Sequence, residues 1–525
     1  MNVNQSLLRG SGRIFLLWFV LFVFFFGIMT ACAPQPGAIA LANPAPQTAI
    51  AEPVEAQPED SSQNALQTTA LPTRPPYGPG ELVDYLAQTG DTLPALAKHF
   101  NTTVEEIREA NPIIPQDATT MPPGMPMKIP IYYAPLWGTP FKIIPDSQFV
   151  NGPAAVSFDT AAFIGEHPGW LNGYFEYASG ATRSAAGIID LVAQNFSVGP
   201  RLMLTLLEYQ AGGLSQPSPP PGMAPYYLGK VGYQHRGLYL QLVWAANTLN
   251  NGYYPWRSGE LTTITRQDGT VERPDPWQNP ATVALQYYFS LFYSPESYQE
   301  AVNADGLARV YLSLFGDPWA NDQPHISGSV SQPAFALPFE KGTTWALTGG
   351  PHTGWGTGAP LAALDFAPPS VVGGCTPTSE WATAVAPGVV ARSEPAIVVL
   401  DLDSDGDERT GWVVFYLHLA EKGRAPVGRS LETGDPVGHP SCEGGRSTGT
   451  HVHIARKYNG EWMLAAGPLG FNLEGYVAEN GPTPYLGTMT RYSHTVSACV
   501  CSDATSFISA GEDQVVISPT PTPGR

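Results

Sequence analysis

The stretch RSTGTHVHIARKYNG, residues 446–460, places two of the chain's ten histidines one residue apart. A glycine-containing approach precedes the pair, and the residues that follow are typical of a β-strand. Because successive strand side chains point to opposite faces, His451 and His453 project from the same face, about 7 Å apart. One imidazole can then bind a metal ion while the other faces a reacting water. The stretch therefore predicts a strand that carries a metal site.

Three residues upstream have the chemistry to complete such a site. His418 ends the apolar run in VVFYLHLAEKG, where a single histidine is more often a core residue satisfied by a backbone carbonyl. Asp365 lies in ALDFAPP, and a lone carboxylate in so apolar a setting is costly unless it is paired or bound to a metal. His352 lies in TGGPHTGWG. With the two histidines of the opening stretch, these residues form the candidate site.

Four motifs follow one another in the C-terminal part of the chain. They are AVAPGVV (384–390), YLHLAEKG (416–423), GDPVG (434–438) and STGTHVHIA (447–455). In this order they resemble the lysostaphin-type (LytM-like) zinc endopeptidases. The resemblance implies an antiparallel β-sheet domain over residues 333–490. It also implies one Zn²⁺ ion and cleavage of the peptide cross-links of bacterial cell walls.

The resemblance also implies a role for each candidate residue. Asp365 and His453 become metal ligands, while His451 and His418 become the catalytic pair that acts on the water and the oxyanion. The family places its first ligand histidine four residues before the aspartate, where this chain has Leu361. We expect His352 to supply the third ligand, through the glycine-rich segment that follows it. If it does not, the domain is an inactive factor that binds the wall and activates or scaffolds other hydrolases.

An earlier segment, VDYLAQTGDTLPALAKHFNTTVEEIREANP (83–112), predicts a strand, a Gly-Asp turn and two amphipathic helices. Thr102 or Thr103 can cap the second helix, which has Glu105 and Glu106 in its first turn. PPGMPMKIPIYY (122–133) then adds a Pro-Gly turn and a second strand. The resulting βααβ order predicts a small independent module over residues 79–134.

This order, together with GDTL, the Asn-Pro pair and PGMPMKIP, resembles the LysM module. LysM modules bind glycans that contain N-acetylglucosamine, such as peptidoglycan. Their groove lies between the first strand–helix turn and the loop from the second helix to the second strand. The resemblance therefore implies sugar contacts from these two places, at Gly90, Asp91, Thr92, Asn111, Pro112 and Ile113. The alternative is a LysM fold that has lost its affinity for glycans.

The region between these modules, residues 140–328, contains several amphipathic segments and is predicted to be helical. One of them, SVGPRLMLTLLEYQAG (197–212), is similar to lysozyme-like lytic domains, in which a helix carries a carboxylic general acid. Gln210 stands at the aligned position, so Glu208 is the candidate glycosidase acid if the register shifts. The alternative is a scaffold in which Glu208 is an ordinary surface acid.

The first residues predict export from the cytoplasm. A basic flank, an apolar run and Met29-Thr30-Ala31-Cys32 form a leader over residues 1–32, whose end resembles a bacterial lipobox. Cys32 would then be lipidated and anchor the chain in the cell envelope; the alternative is an uncleaved membrane anchor. The polar residues 33–78 predict a disordered linker, and residues 491–525 a C-terminal tail.

Four other cysteines fit an oxidising compartment, in which two disulfides are expected. We favour a bridge between Cys375 and Cys442, because both lie in loops of one domain. A separate acidic turn, DLDSDGDE (401–408), resembles the start of an EF-hand loop, with Asp401, Asp403 and Asp405 as candidate Ca²⁺ ligands. Trp412 stands where the loop needs its glutamate, so a solvated turn is the alternative.

Charge and length limit the remaining possibilities. The net charge of −19 and the lack of a Lys/Arg cluster exclude a nucleic-acid partner, which would need a basic surface. A length of 525 residues predicts about three domains. The sequence thus predicts a multidomain α+β protein made of a small βααβ module, a helical middle domain and an antiparallel sheet domain.

Overall fold

The computed structural model describes residues 74–132, 137–320, 322–370, 372–501 and 503–511. The predicted leader, the lipidation at Cys32 and most of the predicted linker lie outside these residues. Among the described residues, no helix combines the length and the apolar character needed to cross a membrane.

The first module has the predicted βααβ order. It consists of β1 (Glu81–Leu86), α1 (Leu93–Phe100), α2 (Val104–Ala110) and β2 (Pro126–Ile131), with β1 and β2 paired antiparallel. Thr92 caps α1 by accepting a hydrogen bond from the Ala95 N–H, and Thr103, not Thr102, caps α2 in a reciprocal capping box with Glu106. Buried Leu96, Phe100, Ile107, Ile129 and Ile131 form its core.

The middle region is helical, as predicted. Its helices are α3 (Asp146–Phe149), α4 (Thr160–Gly165), α5 (Ala185–Phe196), α6 (Pro200–Ala211), α7 (Leu238–Ser258), α8 (Pro280–Ser290), α9 (Pro295–Ala301) and α10 (Leu307–Phe315). Two short hairpins accompany them: β3 (Phe175–Ala178) with β4 (Ala181–Ser184), and β5 (Ile264–Thr265) with β6 (Val271–Glu272). Short 3₁₀ turns cover Pro153–Ala155, Trp170–Gly173 and Tyr233–His235, and a further one at Ala504–Ser506 lies near the C-terminus.

The C-terminal region is built from antiparallel strands, as predicted. They are β7 (Thr344–Thr353), β8 (Leu361–Ala367), β9 (Ala382–Thr383), β10 (Gly388–Glu394), β11 (Ala396–Asp401), β12 (Trp412–Leu419), β13 (Ser430–Leu431), β14 (Pro436–Gly438), β15 (Val452–Tyr458), β16 (Glu461–Trp462), β17 (Asn472–Leu473), β18 (Tyr476–Asn480), β19 (Gly487–Arg491), β20 (His494–Ser497) and β21 (Phe507–Ser509). The main sheet has the order β13-β10-β11-β12-β15-β8-β7-β21, with β16 beside β15. Strands β17 to β20 form a second sheet, and β9 pairs with β14.

A buried cluster of charged groups joins the sheet domain to the helical region. Arg257 on α7 donates to both carboxylate oxygens of Glu461 at the start of β16, at 3.0 and 3.1 Å. Asp146 lies 3.2 Å from the same guanidinium. Tyr253 and His325 also bond Glu461, at 2.8 and 2.6 Å. Because β16 pairs with β15, this cluster fixes the strand that carries His453 against the helices.

The βααβ module packs on the same helical region. The ring of His99 is stacked on that of Trp256, with centroids 3.7 Å apart, and His99 Nε2 donates to the Trp256 carbonyl at 3.0 Å. Trp277 Nε1 donates to the Asp84 carbonyl at 3.0 Å. The module is therefore held by aromatic stacking and by side chains that bond main-chain groups across the interface.

The burial of His99 in this interface makes the stability of the chain depend on pH. Burial lowers the pKa of His99 to about 3, whereas an unfolded histidine titrates near 6.5. The neutral ring therefore favours the folded state above pH ~6.5, and this contribution is lost as the pH falls toward 3. At pH 5 we expect a loss of about 2 kcal/mol in the free energy of unfolding.

A His99→Phe variant keeps a stacked ring that cannot titrate. Between pH 7 and pH 5 its free energy of unfolding, measured in urea, should fall by about 2 kcal/mol less than that of the parent chain. Identical pH dependence in the two proteins would contradict the assignment to His99.

Candidate metal centre

Strand pairing brings three of the predicted residues to one place. β8 and β15 are antiparallel neighbours, and His453 lies directly opposite Asp365. On the other side of β8, His352 of β7 lies opposite Ala363, two residues from Asp365 and hence on the same face. The register of β7 shifts between Gly349 and His352, which lets the strand present its histidine toward the aspartate.

Gly349 and Leu361 lie next to these residues on the paired strands β7 and β8. Gly349 lies opposite Asp365, and a Cβ atom at Gly349 would come within 2.6 Å of Asp365 Oδ2, so glycine leaves room for the carboxylate. Leu361, at the position where the resemblance expects a histidine, begins β8 opposite Thr353. The structure thus places the histidine of β7, and not residue 361, beside the aspartate.

Three donor atoms of this site face one another. His352 Nε2 and His453 Nδ1 are 3.0 Å apart, and each lies 3.2 Å from Asp365 Oδ1. Tetrahedral ligands at the usual 2.0–2.1 Å from zinc lie about 3.3 Å from each other. The triangle therefore has the size that a tetrahedral metal ion requires.

The second ring nitrogen of each histidine shows which nitrogen is available to bind a metal ion. His352 Nδ1 donates to the Gly350 carbonyl at 2.8 Å, and His453 Nε2 donates to the Gly354 carbonyl at 3.1 Å. A carbonyl only accepts, so both outer nitrogens carry a proton, and in the neutral rings both inner nitrogens present lone pairs. Asp365 Oδ1 is buried and has no hydrogen-bond donor among the described residues. Three acceptors that face one another need a cation or a shared proton between them, and backbone carbonyls that orient histidines are typical of metal sites.

The electrostatics are dominated by Asp365. Burial alone would raise its pKa, but the adjacent His352 and His451 hold the pKa of this carboxyl well below its usual range. Burial lowers the pKa of His453. For His352 the carboxylate outweighs burial, and its pKa is raised. The site therefore keeps an ionised carboxylate in a buried position, which is the charge that favours cation binding.

The other two histidines lie beside this triangle. His451 Nε2 is 3.7 Å from Asp365 Oδ1, and the rings of His451 and His418 have centroids 4.6 Å apart. His451 Nδ1 faces the Gly449 carbonyl at 2.7 Å, and His418 Nδ1 faces the Glu443 carbonyl at 2.7 Å. Each ring thus carries its proton on Nδ1 and has a lone pair on Nε2. Burial and then His451 lower the pKa of His418 to about 4.

A cleft of about 1310 Å³ is lined by all five candidate residues: His352, Asp365, His418, His451 and His453. Tyr485 lines it and stacks on the ring of His352, with centroids 4.2 Å apart. Sequence reasoning missed Tyr485, because GPTPYLG signals a turn and nothing in it specifies a ring contact with a residue far away in the chain. Near the cleft a disulfide joins Cys375 to Cys442, the pairing favoured from the sequence, and a second joins Cys499 to Cys501.

Comparisons with known proteins agree with this architecture. The LysM domain family matches residues 85–130, and the LasA N-terminal domain family matches residues 142–327. The protease LasA of Pseudomonas aeruginosa is 24% identical over 339 residues, which cover 61% of this chain and 75% of that protein. The β-lytic metalloendopeptidase of Lysobacter enzymogenes is 29% identical over 134 residues, 24% of this chain and 70% of that protein. The chain is thus related in sequence to LasA and to a β-lytic metalloendopeptidase.

Solved structures were also found to be similar. The M23 metalloprotease pseudoalterin from the deep sea shares 23% identity, with a TM-score of 0.28, over 32% of this chain and 96% of that one. Lysostaphin from Staphylococcus simulans shares 15% identity, with a TM-score of 0.17, over 32% of this chain and 87% of that one.

The family matched by the middle region is the LasA N-terminal domain, and the lysozyme-like interpretation of this region stays a prediction. The Glu208 carboxylate accepts the N–H groups of Leu214 and Ser215, at 2.7 and 3.1 Å. Helix α6 ends at Ala211, and the chain turns back so that these amides meet the side chain. Glu208 therefore anchors the loop after α6, and its role as a glycosidase acid stays a prediction.

The predicted sugar residues of the LysM module are divided in the structure. Asp91 is buried and accepts hydrogen bonds from the Tyr85 hydroxyl and the Gln88 N–H, and Thr92 caps α1. The Asn111 side chain is buried and bonds main-chain groups of residues 107 and 128. Only Pro112 and Ile113 are exposed. The side chains of Asp91, Thr92 and Asn111 thus form hydrogen bonds within the module's own turns.

The acidic turn stands apart from the metal centre. Asp401, Asp403 and Asp405 offer carboxylate oxygens within 4.8 Å of one another. Asp401 accepts the Gly406 N–H at 2.9 Å, and burial raises its pKa to about 6. Such contacts are what a solvated acidic turn makes on its own, and Ca²⁺ binding there stays a prediction.

Proposed function

We propose that the chain is a zinc endopeptidase that hydrolyses peptide cross-links of peptidoglycan. The observation that carries this proposal is the triangle of His352 Nε2, Asp365 Oδ1 and His453 Nδ1. The other ring nitrogen of each histidine donates to a backbone carbonyl. Homology to LasA and to the β-lytic metalloendopeptidases supports the same reaction class.

The donor set fits zinc better than a harder ion. Two imidazole nitrogens and one carboxylate oxygen are the ligands that catalytic zinc sites use, with a fourth position left for water or substrate. His352, Asp365 and His453 would hold one Zn²⁺, which when bound acts as a Lewis acid on the scissile carbonyl and lowers the pKa of water. Mg²⁺ and Ca²⁺ prefer all-oxygen ligands and are disfavoured by the two imidazoles.

His451 and His418 move the protons of the reaction. Both present Nε2 lone pairs toward the cleft, because Nδ1 of each faces a carbonyl. His451 Nε2 takes the proton of the attacking water, and the imidazolium then donates it to the leaving amine. With a pKa near 4, His418 is neutral at pH 7, so its Nε2 accepts a hydrogen bond and orients the water or the charged His451.

The other parts of the chain position this chemistry at the cell wall. The LysM domain indicates binding to N-acetylglucosamine glycans, which brings the cleft close to the peptides that these glycans carry. The leader sequence exports the chain, and lipid on Cys32 retains it in the envelope. The approach of His352 to Asp365 favours an enzyme over an inactive wall-binding factor, which would lack the third ligand.

Cleavage of purified peptidoglycan by the full chain, followed by the release of new amino groups, tests this function. A His451→Ala variant should keep about one zinc ion per chain but lose 10²- to 10⁴-fold in rate, about the contribution of one general base. Loss of zinc together with activity would instead place His451 among the ligands. No cleavage by the zinc-loaded parent chain would favour the inactive factor.

A further inference from the structure

The segment Ile326–Val330, which leads from the helical region to the sheet domain, runs across the LysM module. It crosses between two parts of the module: the turn Thr89–Thr92, after β1, and the loop segment Thr119–Pro122, before β2. These two places border the groove in which a LysM module is expected to hold its glycan. The segment therefore lies where a sugar chain is expected.

Main-chain groups of the segment make most of the polar contacts. Thr89 Oγ1 both donates to the Ile326 carbonyl and accepts the Ile326 N–H, each at 3.0 Å. The Thr120 carbonyl accepts the Ser329 N–H at 2.8 Å, and Thr120 Oγ1 donates to the Ser327 carbonyl at 2.9 Å. The segment is thus bound through its peptide groups, as an extended ligand would be.

The end of the segment is held in the same way. Thr119 Oγ1 donates to the Val330 carbonyl at 2.7 Å, and Thr120 Oγ1 accepts the Val330 N–H at 3.3 Å. Three threonine hydroxyls of the module therefore serve five peptide groups of the segment between them. Two of those hydroxyls, on Thr119 and Thr120, stand in the loop that borders the expected groove.

Packing between the segment and the module is close. A Cβ atom at Gly90 would lie 3.2 Å from Ile326 Cδ1. A Cβ atom at Gly328 would lie 2.6 Å from Pro122 Cα. A sugar ring has no room between these surfaces while the segment is in place.

The chemistry of the two ligands is alike. An N-acetylglucosamine residue carries an acetamido group, which offers the same N–H donor and carbonyl acceptor as a peptide bond. We propose that the segment Ile326–Val330 and an N-acetylglucosamine glycan compete for this face of the LysM module, so that glycan binding requires the segment to leave. The proposal rests on the glycan binding included in the proposed function.

Release of the segment affects the domain junction. His325, immediately before it, bonds Glu461 at 2.6 Å, and Asn459 Nδ2 donates to the His325 carbonyl at 2.6 Å. A cavity of about 420 Å³ adjoins the covered turn, and Gly90, Thr92, Thr120 and Trp462 are among its lining residues. Displacing the segment would enlarge this space and loosen contacts to the hairpin that follows β15. Glycan binding is therefore coupled to the contact between LysM module and peptidase domain.

Gly328→Val tests the competition without changing the LysM module. Its side chain meets Pro122 and should expel the segment, so an N-acetylglucosamine hexamer should bind the full-length variant about tenfold more tightly than the parent chain by calorimetry. Gly173→Val is the matched control, because a Cβ atom there meets no heavy atom within 4 Å. It should leave the affinity unchanged. Equal affinity of all three proteins would overturn the proposal.

Hydrogen exchange on the unmodified chain provides a second measurement. Saturation with the hexamer should speed exchange at the amides of Ile326, Ser329 and Val330 at least tenfold, and unchanged exchange at saturation would overturn the competition. Rapid exchange of these amides in Gly328→Val would show that the segment has left the module. If this variant and the parent chain then both fail to bind the hexamer, the proposal is also overturned. Peptidoglycan cleavage, measured separately, shows whether the peptidase function survives either result.

Discussion

Replacing His352 by alanine is expected to remove both the metal and the activity. The variant should retain below about 0.1 zinc ion per chain, because two remaining ligands do not hold zinc against dilution. Cleavage of peptidoglycan should fall at least about 1000-fold, since the reaction loses its Lewis acid. Metal analysis of the dialysed protein, together with the amino-group assay, measures both effects.

His494→Ala is the matched control for this experiment. His494 lies exposed on β20 of the same region, and its side chain bonds the Tyr476 hydroxyl. Its removal should leave zinc content and rate within about twofold of the parent chain. A His352→Ala chain that keeps one zinc ion and full activity would show that another group supplies the third ligand, and the role assigned to β7 would be wrong.

Replacing Glu461 by glutamine is expected to destabilise the chain by about 3–5 kcal/mol, the cost typical of breaking a buried ion pair. Glu461 is 2% exposed and interacts with Arg257, Tyr253 and His325. Without its charge, the guanidinium of Arg257 keeps the carboxylate of Asp146, at 3.2 Å, and its hydrogen bonds to the Tyr253 hydroxyl and the Thr89 carbonyl, but it loses the paired carboxylate oxygens of Glu461. The difference in the free energy of unfolding in urea measures the effect.

Glu479→Gln offers a control with the same chemistry at an exposed position on β18. Surface changes of this kind stay within about 0.5 kcal/mol. If the two variants unfold with free energies that differ by less than 1 kcal/mol, the buried cluster does not hold the domains together as described. Restoration of stability in an Arg257→Met, Glu461→Gln double variant would show that the unpaired guanidinium causes the loss.

The strand that carries His453 could be predicted because strand alternation is strict: residues separated by one position share a face whatever the rest of the fold does. His451 stands directly before this strand, which begins at Val452, and pairs with Ser441 in an isolated bridge. The pairing of this strand with the one that carries Asp365 depends on contacts between distant residues, and here the family resemblance supplied what local pattern does not. His352 was the uncertain member, because a shift in the register of β7 brings it to the site. No local pattern in TGGPHTGWG specifies that shift.

Side chains of the LysM turns illustrate a different limit. Asp91, Thr92 and Asn111 were expected at the sugar, but each satisfies backbone or neighbouring groups inside the module. Asp, Thr and Asn are equally suited to capping turns and to binding ligands, so residue type alone does not separate the two roles. Glu208 illustrates the same limit, because a helix-terminal carboxylate that caps a loop resembles an acid at a cleft.

Zinc-edge anomalous diffraction from crystals of the full chain tests the central claim most directly. We predict one strong peak within about 2.2 Å of His352 Nε2, Asp365 Oδ1 and His453 Nδ1, with a fourth position open to the cleft. His451 and His418 should lie outside bonding distance of this peak. A peak bound without His352, or no peak at this triangle in zinc-containing crystals, would contradict the assignment of the metal centre.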